Sequence, residues 1–115
     1  MKPDNILIGN TESTQKIIYL IDFGLSHSYI DPLTNQHMSH PLKVNFKGSI
    51  SYCSKNLLEK KCNYILINFL DPSRRDDLES LIYVILYLLN GELPWHKGTW
   101  ELKGQTRLNF VIKMK

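Results

Sequence analysis

Three polar side chains near the start of the sequence have the types and spacing that a site for a metal ion and a phosphate requires. Asp22 follows the apolar run Ile17–Ile21 and precedes Phe23 and Gly24. This run is short and β-branched, so it predicts a buried strand that ends by presenting one carboxylate. We expect Gly24 to let the backbone turn where a Cβ would clash. An ordinary Asp-x-Gly turn at the end of a strand fits the same residues.

The second motif is Lys2-Pro3-Asp4-Asn5, which leads into the apolar residues Ile6–Ile8. Residues 10–16 are uniformly polar and contain turn formers, so the two apolar runs are predicted to pair as a hairpin. That pairing would place Asn5 near Asp22. An amide oxygen and a carboxylate are hard oxygen ligands, which suit Mg²⁺ when water and phosphate fill its remaining positions. Lys2 could then neutralise a phosphate nearby.

At this separation the two motifs resemble a protein kinase, whose catalytic loop ends Lys-Pro-x-Asn and whose metal-binding motif is Asp-Phe-Gly. Later segments narrow the resemblance to the casein kinase I family of serine/threonine kinases. These segments are Gly48-Ser49-Ile50-Ser51-Tyr52, the run from Ser73 to Leu81, and Leu93-Pro94-Trp95. The resemblance covers nearly the whole chain and fades after Trp95.

The resemblance implies a role for each residue that matches a family motif. Lys2 would contact the transferring phosphate of ATP, and Asn5 and Asp22 would hold Mg²⁺. Ser49 stands where the family has a threonine whose hydroxyl steadies the lysine and the catalytic base. Ser51 stands where the family has an arginine that binds a phosphate already present on the substrate. The implied partners are protein substrates, acidic or primed by phosphate, and Ser51 puts the preference for primed substrates in doubt.

The fold class implied is α+β and mostly helical, a fragment of the large C-terminal lobe of a kinase with a small β-hairpin at the cleft. Residues 1–115 would comprise the end of the catalytic loop, the metal-binding hairpin, the activation segment and the central helix, without the small lobe and the later helices. The family's catalytic aspartate would lie one residue before Met1, so we expect no phosphotransfer from these residues alone. The alternative is a non-catalytic remnant acting as an interaction module, or a truncated gene model.

The clearest predicted element is a helix between Ser73 and Gly91. Ser73 can cap its amino end with Asp76 three residues on, and Gly91 can end it in a left-handed conformation. Apolar residues wrap every face, which predicts a core element that the missing later helices would leave partly uncovered. The resemblance implies that Asp77 holds the backbone of the catalytic loop. The alternative is that Asp77 only complements the helix dipole, which requires no such loop.

Two other stretches are less regular. Residues 25–52 are polar and contain prolines, so they predict a loop that matches the activation segment. The connection between Asn56 and Pro72 contains the run from Cys62 to Leu70 and is longer than the corresponding connection of the family by about nine residues. This run is either a docking strand for a partner or the product of a retained intron or gene-model error, and the second interpretation is favoured. Residues 101–115 show weak helical character.

Composition excludes several classes of function. Lys and Arg total 14 against 11 Asp and Glu, and no basic run stands out, so nucleic acid binding is not predicted. Cys53 and Cys62 have no metal-site spacing, which favours free thiols in a reducing cytoplasmic compartment, with the nucleus as an alternative. The four histidines His27, His37, His40 and His96 fit no ligand set. No membrane span is predicted, and the oligomeric state is left open.

Overall fold

In the computed structural model, residues 1–38, 48–62, 73–99 and 101–115 are described, with only the backbone for residues 60–62. This part of the chain forms a short 3₁₀ turn, one two-stranded antiparallel sheet and three α-helices. In order, they are the turn Pro3–Asn5, β1 (Ile6–Ile8), β2 (Ile18–Leu20), α1 (Lys55–Cys62), α2 (Arg74–Asn90) and α3 (Gly104–Met114). The predicted α+β, mostly helical architecture with a small hairpin is compatible with this order, while its assignment to a kinase lobe stays a prediction.

The hairpin joins β1 and β2 in the predicted antiparallel arrangement. Its register pairs Ile6 with Leu20 and Ile8 with Ile18. The prediction that the second strand is buried is wrong, because Ile18 is 67% exposed and Leu20 is 47% exposed. Two short strands have two faces, and a pair of this size does not bury its own side chains.

The loop that closes the hairpin is held by its own polar groups. The hydroxyls of Thr11 and Thr14 lie 2.6 Å apart, and the Ile17 amide donates to the Thr14 carbonyl at 2.8 Å. Gly9 lies directly against Thr14, and a Cβ at position 9 would overlap the threonine side chain and carbonyl. The closed end of the hairpin therefore requires glycine at position 9 for lack of space.

Helix α2 has the predicted ends. Ser73 is its N-cap, and the Asp76 carboxylate accepts the Ser73 amide at 2.8 Å. Gly91 ends the helix with φ of 75°, and its amide donates to the Tyr87 carbonyl at 2.8 Å. These capping contacts satisfy backbone groups that the helix leaves unpaired at its two ends. The boundaries of α2 are thus fixed by residues that the sequence identifies.

The expectation that α2 is a core element is correct for one face only. The residues buried on this helix are Asp76, Ser80 and Val84, spaced four apart along one stripe. Six other apolar side chains of the helix are exposed, whereas Leu81, Tyr83 and Tyr87 are half-buried. The exposed ones are Leu78, Ile82, Ile85, Leu86, Leu88 and Leu89. The apolar surface that the sequence predicts to be uncovered is therefore present on the face opposite the stripe.

The core lies between the three helices and the segment after α2. Its buried side chains are Tyr52, Leu58, Val84, Leu93, Trp95, Leu108 and Val111. Helix α3 packs against α1 and contributes two of these residues. Helices of this length gain most of their stability from packing, which explains why a segment of weak helical character forms a regular helix here.

The described part of the predicted activation segment is a loop, as expected. Its regular feature is one isolated bridge between Ile30 and His37. Asp31 accepts the Leu33 amide at 2.8 Å in a local turn. Residues 39–47 lie outside the described part of the chain, as do residues 63–70 of the predicted insertion, whose two interpretations stay open. Among the described residues, no helix has the length and apolar character needed to cross a membrane.

Candidate functional site

The register of the hairpin brings Asn5 and Asp22 together at its open end. Beyond the last strand pair, the Ile21 amide donates to the Asn5 carbonyl at 3.0 Å. This backbone bond extends the pairing by one step and places the next side chains at one edge. The Asn5 side-chain amide donates from Nδ2 to Asp22 Oδ2 at 3.4 Å. The predicted proximity of the two residues is therefore observed, whereas their role in metal binding stays a prediction.

Asp22 holds an unusual backbone conformation. Its φ is 62°, in the left-handed region that few residues other than glycine adopt. Aspartate tolerates this region better than most residues. The prediction that Gly24 is needed to avoid a clash is wrong, because a Cβ there would lie 3.4 Å from Asp22 Oδ1, an ordinary contact. The conformation that turns the chain after β2 therefore belongs to the carboxylate residue itself.

The Asn5 and Asp22 side chains fit a magnesium ion in part. Asp22 is exposed and Asn5 is half-buried, so water and phosphate oxygens can reach both. In the observed hydrogen bond the Asn5 nitrogen faces Asp22, and turning the amide over would present its oxygen instead. Within the described residues, no group of three or more His, Cys, Asp and Glu side chains converges. An ion here would take few protein ligands, as Mg²⁺ commonly does beside phosphates.

Lys2 stands at the start of the same turn. Its carbonyl accepts the Asn5 amide at 3.1 Å, and the residue is half-buried. Between Lys2 and Asp22, both of which are described, no ion pair within 4.0 Å is formed. Lys2 therefore shares a backbone turn with Asn5, and its contact with a phosphate stays a prediction.

Ser49 lies in a tight turn of residues 49–53 that precedes α1. Its carbonyl accepts the amides of Tyr52 at 3.2 Å and Cys53 at 3.0 Å. Among the residues that the structure describes, no hydrogen bond joins the Ser49 hydroxyl to Lys2 or Asp22. The backbone at Ser49 is therefore held in a hydrogen-bonded turn, but the Ser49 hydroxyl does not bond to the other predicted site residues that are described.

Helix α2 contacts the start of the chain through Ser80, a residue that sequence reasoning missed. The buried Ser80 hydroxyl donates to the Met1 carbonyl at 3.4 Å. Asp77, to which the resemblance assigns a contact with the catalytic loop, is exposed, and its backbone amide donates to the Ser73 carbonyl at 3.3 Å. The sequence signal that could have identified Ser80 is its spacing. It lies four residues from both Asp76 and Val84, so the three share one stripe of the helix.

Comparison with curated proteins shows what the chain is similar to. Casein kinase I homolog 1 of Schizosaccharomyces pombe is 42% identical over 96 residues, 83% of this chain and 20% of that protein. The chain belongs to the casein kinase I family over these residues. Casein kinase I homolog RAG8 of Kluyveromyces lactis is 38% identical over the same share of the chain and 16% of its own length. Casein kinase I homolog 1 of Saccharomyces cerevisiae is 40% identical, again over 16% of its length.

The family resemblance drawn from the motifs is therefore confirmed. No protein-family model matches the chain. The chain spans about a fifth or less of the length of the casein kinase I relatives that it matches. The relatives support a kinase-like protein, and the activity, substrates and partners of such a protein are considered below as proposals.

A buried carboxylate joins the two helical parts of the casein kinase I segment. Asp76 Oδ1 accepts the Ser54 hydroxyl at 2.5 Å and the Asn56 amide at 3.3 Å. Its Oδ2 accepts the Ser73 hydroxyl at 2.8 Å. Burial acts to raise the pKa of Asp76, but these hydrogen bonds outweigh it and hold the pKa below its usual value. Asp76 therefore ties the segment before α1 to the start of α2, whereas the sequence predicts only its capping role.

Proposed function

We propose that this chain forms part of a serine/threonine protein kinase of the casein kinase I type. Such an enzyme transfers the γ-phosphate of ATP to hydroxyl groups of protein substrates. The observation that supports the proposal is the Asn5–Asp22 pair at 3.4 Å, built by a hairpin within a segment similar to casein kinase I homologues. Two oxygen-bearing side chains at one exposed edge are what a phosphate-bound magnesium ion requires.

In this proposal each of the three residues near the hairpin has one task. Asn5 and Asp22 hold the metal ion, and Lys2 contacts the transferring phosphate. Mg²⁺, when bound, neutralises charge on the phosphate oxygens. Asp22 holds a left-handed backbone while its carboxylate accepts the Asn5 amide, and holding that conformation costs on the order of 1–3 kcal/mol. A cost of this size at a residue of suitable chemistry is consistent with a binding role.

Ser49 is the fourth residue in the proposed machinery. Its hydroxyl would steady Lys2 and the catalytic base, as the resemblance implies. The supporting observation is limited to the ordered backbone turn, whose amides at positions 52 and 53 donate to the Ser49 carbonyl. The proposed substrates are proteins, acidic or primed, with Ser51 weakening the case for primed ones.

The metal site can be tested on this chain with Mn²⁺ as a paramagnetic substitute for Mg²⁺. We expect Mn²⁺ to broaden the amide NMR signals around positions 5 and 22, and Asp22→Asn to abolish this broadening. Changing even an indirect partner of a metal ligand weakens binding by about 10- to 100-fold, so removing a direct ligand should have at least this effect.

Glu12→Gln is the matched control for this test. Glu12 is an exposed carboxylate at the opposite end of the same hairpin, so its loss should leave the broadening unchanged. Equal broadening in the native chain and in Asp22→Asn would contradict the proposed metal role.

Phosphotransfer itself gives a second test. In a protein that contains this segment and is active, Asp22→Ala should abolish Mg-ATP-dependent phosphorylation of an acidic peptide, and Glu12→Ala should leave it unchanged. Circular dichroism of both variants would show that they fold alike. Retained phosphorylation in folded Asp22→Ala would overturn the assignment of the site.

A further inference from the structure

The turn of residues 49–53 has carbonyl groups that the backbone alone does not satisfy. The Ser49 carbonyl accepts two amides of the turn. The Ser51 carbonyl accepts the indole Nε1–H of Trp95 at 2.8 Å. The Ile50 carbonyl accepts the Lys115 amine at 3.4 Å, and the Cys53 carbonyl accepts the same amine. One lysine therefore provides donors to two carbonyls of a single turn, where unsatisfied groups would be costly.

Aromatic rings complete the surroundings of this amine. Lys115 Nζ lies 4.3 Å from the centroid of the Tyr83 ring and 4.8 Å from that of Trp95. Both distances are within the range of a cation–π interaction. We define the amine box as the Ile50 and Cys53 carbonyls together with the Tyr83 and Trp95 rings. Its members come from the turn, from α2 and from the segment after α2, while the amine comes from the end of α3.

The box is held by contacts of its own. Tyr83 donates its hydroxyl to Glu79 Oε1 at 2.6 Å, and the same oxygen accepts the Lys55 amide at 2.8 Å. The Tyr83 and Trp95 rings meet edge to face, with centroids 4.9 Å apart. The rings are therefore fixed independently of Lys115, and the amine enters surroundings that are already built.

We infer that Lys115 is a positioning residue, whose amine fixes the turn of residues 49–53 and thereby the location of Ser49. The inference deepens the proposed function and rests on it in one respect, since the catalytic role of Ser49 belongs to that proposal. Lys115 acts through two peptide groups of the turn and does not itself contact the Asn5–Asp22 pair.

The pKa values of the groups around the amine box define a pH range in which the titration of the Lys115 amine can be observed. Burial lowers the pKa of Lys115 to about 8, while Cys53 and Glu79 act in the opposite direction. Burial raises the pKa of the Cys53 thiol to about 11, and that of Tyr83 is also raised.

Four further charged or titratable groups face this region. Burial lowers the pKa of His96, and hydrogen bonding lowers that of Asp76 despite its burial. The Arg107 guanidinium faces His96 and contributes to lowering its pKa, and the Met1 amino group faces Cys53. Between about pH 7 and pH 10, Lys115 is the side chain of this set that we expect to change its charge.

The test is a pH titration of the ¹⁵N-labelled chain followed by NMR. The Ser51 and Ser54 amides share peptide groups with the Ile50 and Cys53 carbonyls, so their chemical shifts report on the Lys115 hydrogen bonds. We expect both signals to move with a midpoint near pH 8. The movement should disappear in Lys115→Met and persist in Lys113→Met, which removes an exposed lysine of the same helix.

A conservative variant keeps the test decisive if Lys115→Met fails to fold. Lys115→Arg retains charge and donors but does not titrate in this range, so its Ser51 and Ser54 signals should stay near their native positions without a midpoint. Shifts that do not move in the native chain would overturn the inference. So would a midpoint that survives in a folded Lys115 variant, because a group other than Lys115 would then account for it.

This experiment contains no metal ion or nucleotide, so its failure is distinct from failure of the proposed function. If the titration fails while Asp22 binds Mn²⁺, the inference about Lys115 is wrong and the metal site stands. If the titration succeeds while Mn²⁺ does not bind, Lys115 positions a turn whose catalytic role is lost with the proposal.

Discussion

The hairpin region, residues 1–38, and the helical region that follows it are organised by different forces. None of residues 1–38 is buried, and their geometry comes from strand register and backbone hydrogen bonds. In the described helical residues, buried apolar side chains form a core between α1, α2 and α3. The predicted metal ligands therefore lie in the region whose side chains are more exposed to solvent. The buried core lies in the helical region.

The difference shows how a site can be precise without being buried. A register error of one residue would move Asn5 away from Asp22, so backbone pairing is enough to set their distance. Stability is a separate matter, because elements with few buried contacts open locally at low free energy. The contacts that join the described parts of the two regions include the Ser80–Met1 hydrogen bond, Ile6, which packs against the core, and the Arg74 guanidinium, which lies 4.5 Å from the centroid of the Tyr29 ring.

The strongest test of the comparison removes one leucine from each region. Leu58 is fully buried, whereas Leu33 is 93% exposed. We expect Leu58→Ala to lower the free energy of unfolding by about 2–5 kcal/mol, since it leaves a cavity in the core. Leu33→Ala should change it by less than about 0.5 kcal/mol. Urea unfolding measures both, and similar losses from the two variants would refute the division into two regions.

Asp76→Asn tests whether the helical region also depends on its buried carboxylate. We expect a loss of about 1–3 kcal/mol, because the donors of Ser54, Ser73 and Asn56 lose a charged acceptor. The folded-state pKa lies below the unfolded value, so the carboxylate stabilises the fold above that value, and this contribution disappears as the pH falls through the folded-state pKa. The difference between native chain and variant should therefore shrink on acidification, and a pH-independent difference would contradict this account.

At alkaline pH the helical region should gain stability through Lys115. The folded-state pKa of about 8 lies below the unfolded value of 10.5. From about pH 8 to the unfolded Cys53 value of 9.0, the unfolded chain binds more protons at Lys115, so the free energy of unfolding should rise with pH. Above pH 9.0 the raised pKa of Cys53 acts in the opposite sense, because the folded chain then holds the thiol proton that the unfolded chain loses. Urea midpoints between about pH 8 and pH 9.0 should show the rise in the native chain and in Lys113→Met, but not in Lys115→Met. A fall in the native chain within this range would show that attraction to the carbonyls and rings outweighs the burial of charge.

The smallest expected effect comes from a variant that tests the hydrogen bond between the two regions. Ser80→Ala removes the hydrogen bond to Met1 and should cost about 1 kcal/mol or less. Amide hydrogen exchange should quicken in β1 and β2 while staying unchanged in α3. Uniform quickening would mean that Ser80 supports the core and not the hairpin.

Local features account for what the sequence predicts correctly. The pairing of β1 with β2, the Ser73 cap and the Gly91 end of α2 each depend on residues close together in the chain. The proximity of Asn5 and Asp22 follows from that pairing. The left-handed backbone of Asp22 was not predicted, because glycine is the usual residue for such a conformation and Gly24 stood nearby.

Long-range contacts account for what the sequence could not predict. The Ser54–Asp76 bond joins residues 22 positions apart, and the Ser80–Met1 bond joins residues 79 positions apart. The helical period places Ser80 on one stripe with Asp76 and Val84, but it does not identify Met1 as the partner of Ser80. Both bonds depend on how the helices pack. The exposure of β2 is of the same kind, because an apolar run does not reveal whether another element covers it.

The crowding of Gly9 against Thr14 has a consequence at the far end of the hairpin. Any larger residue at position 9 would clash with Thr14 and push the closing loop open, and we expect this to weaken the register that the loop sets. A slide of one step would separate Asn5 from Asp22, although neither is near the altered position. The Asn5–Asp22 geometry thus depends on a steric constraint at the other end of the strand, and tolerance to mutation at position 9 measures how firmly the two predicted metal ligands are held.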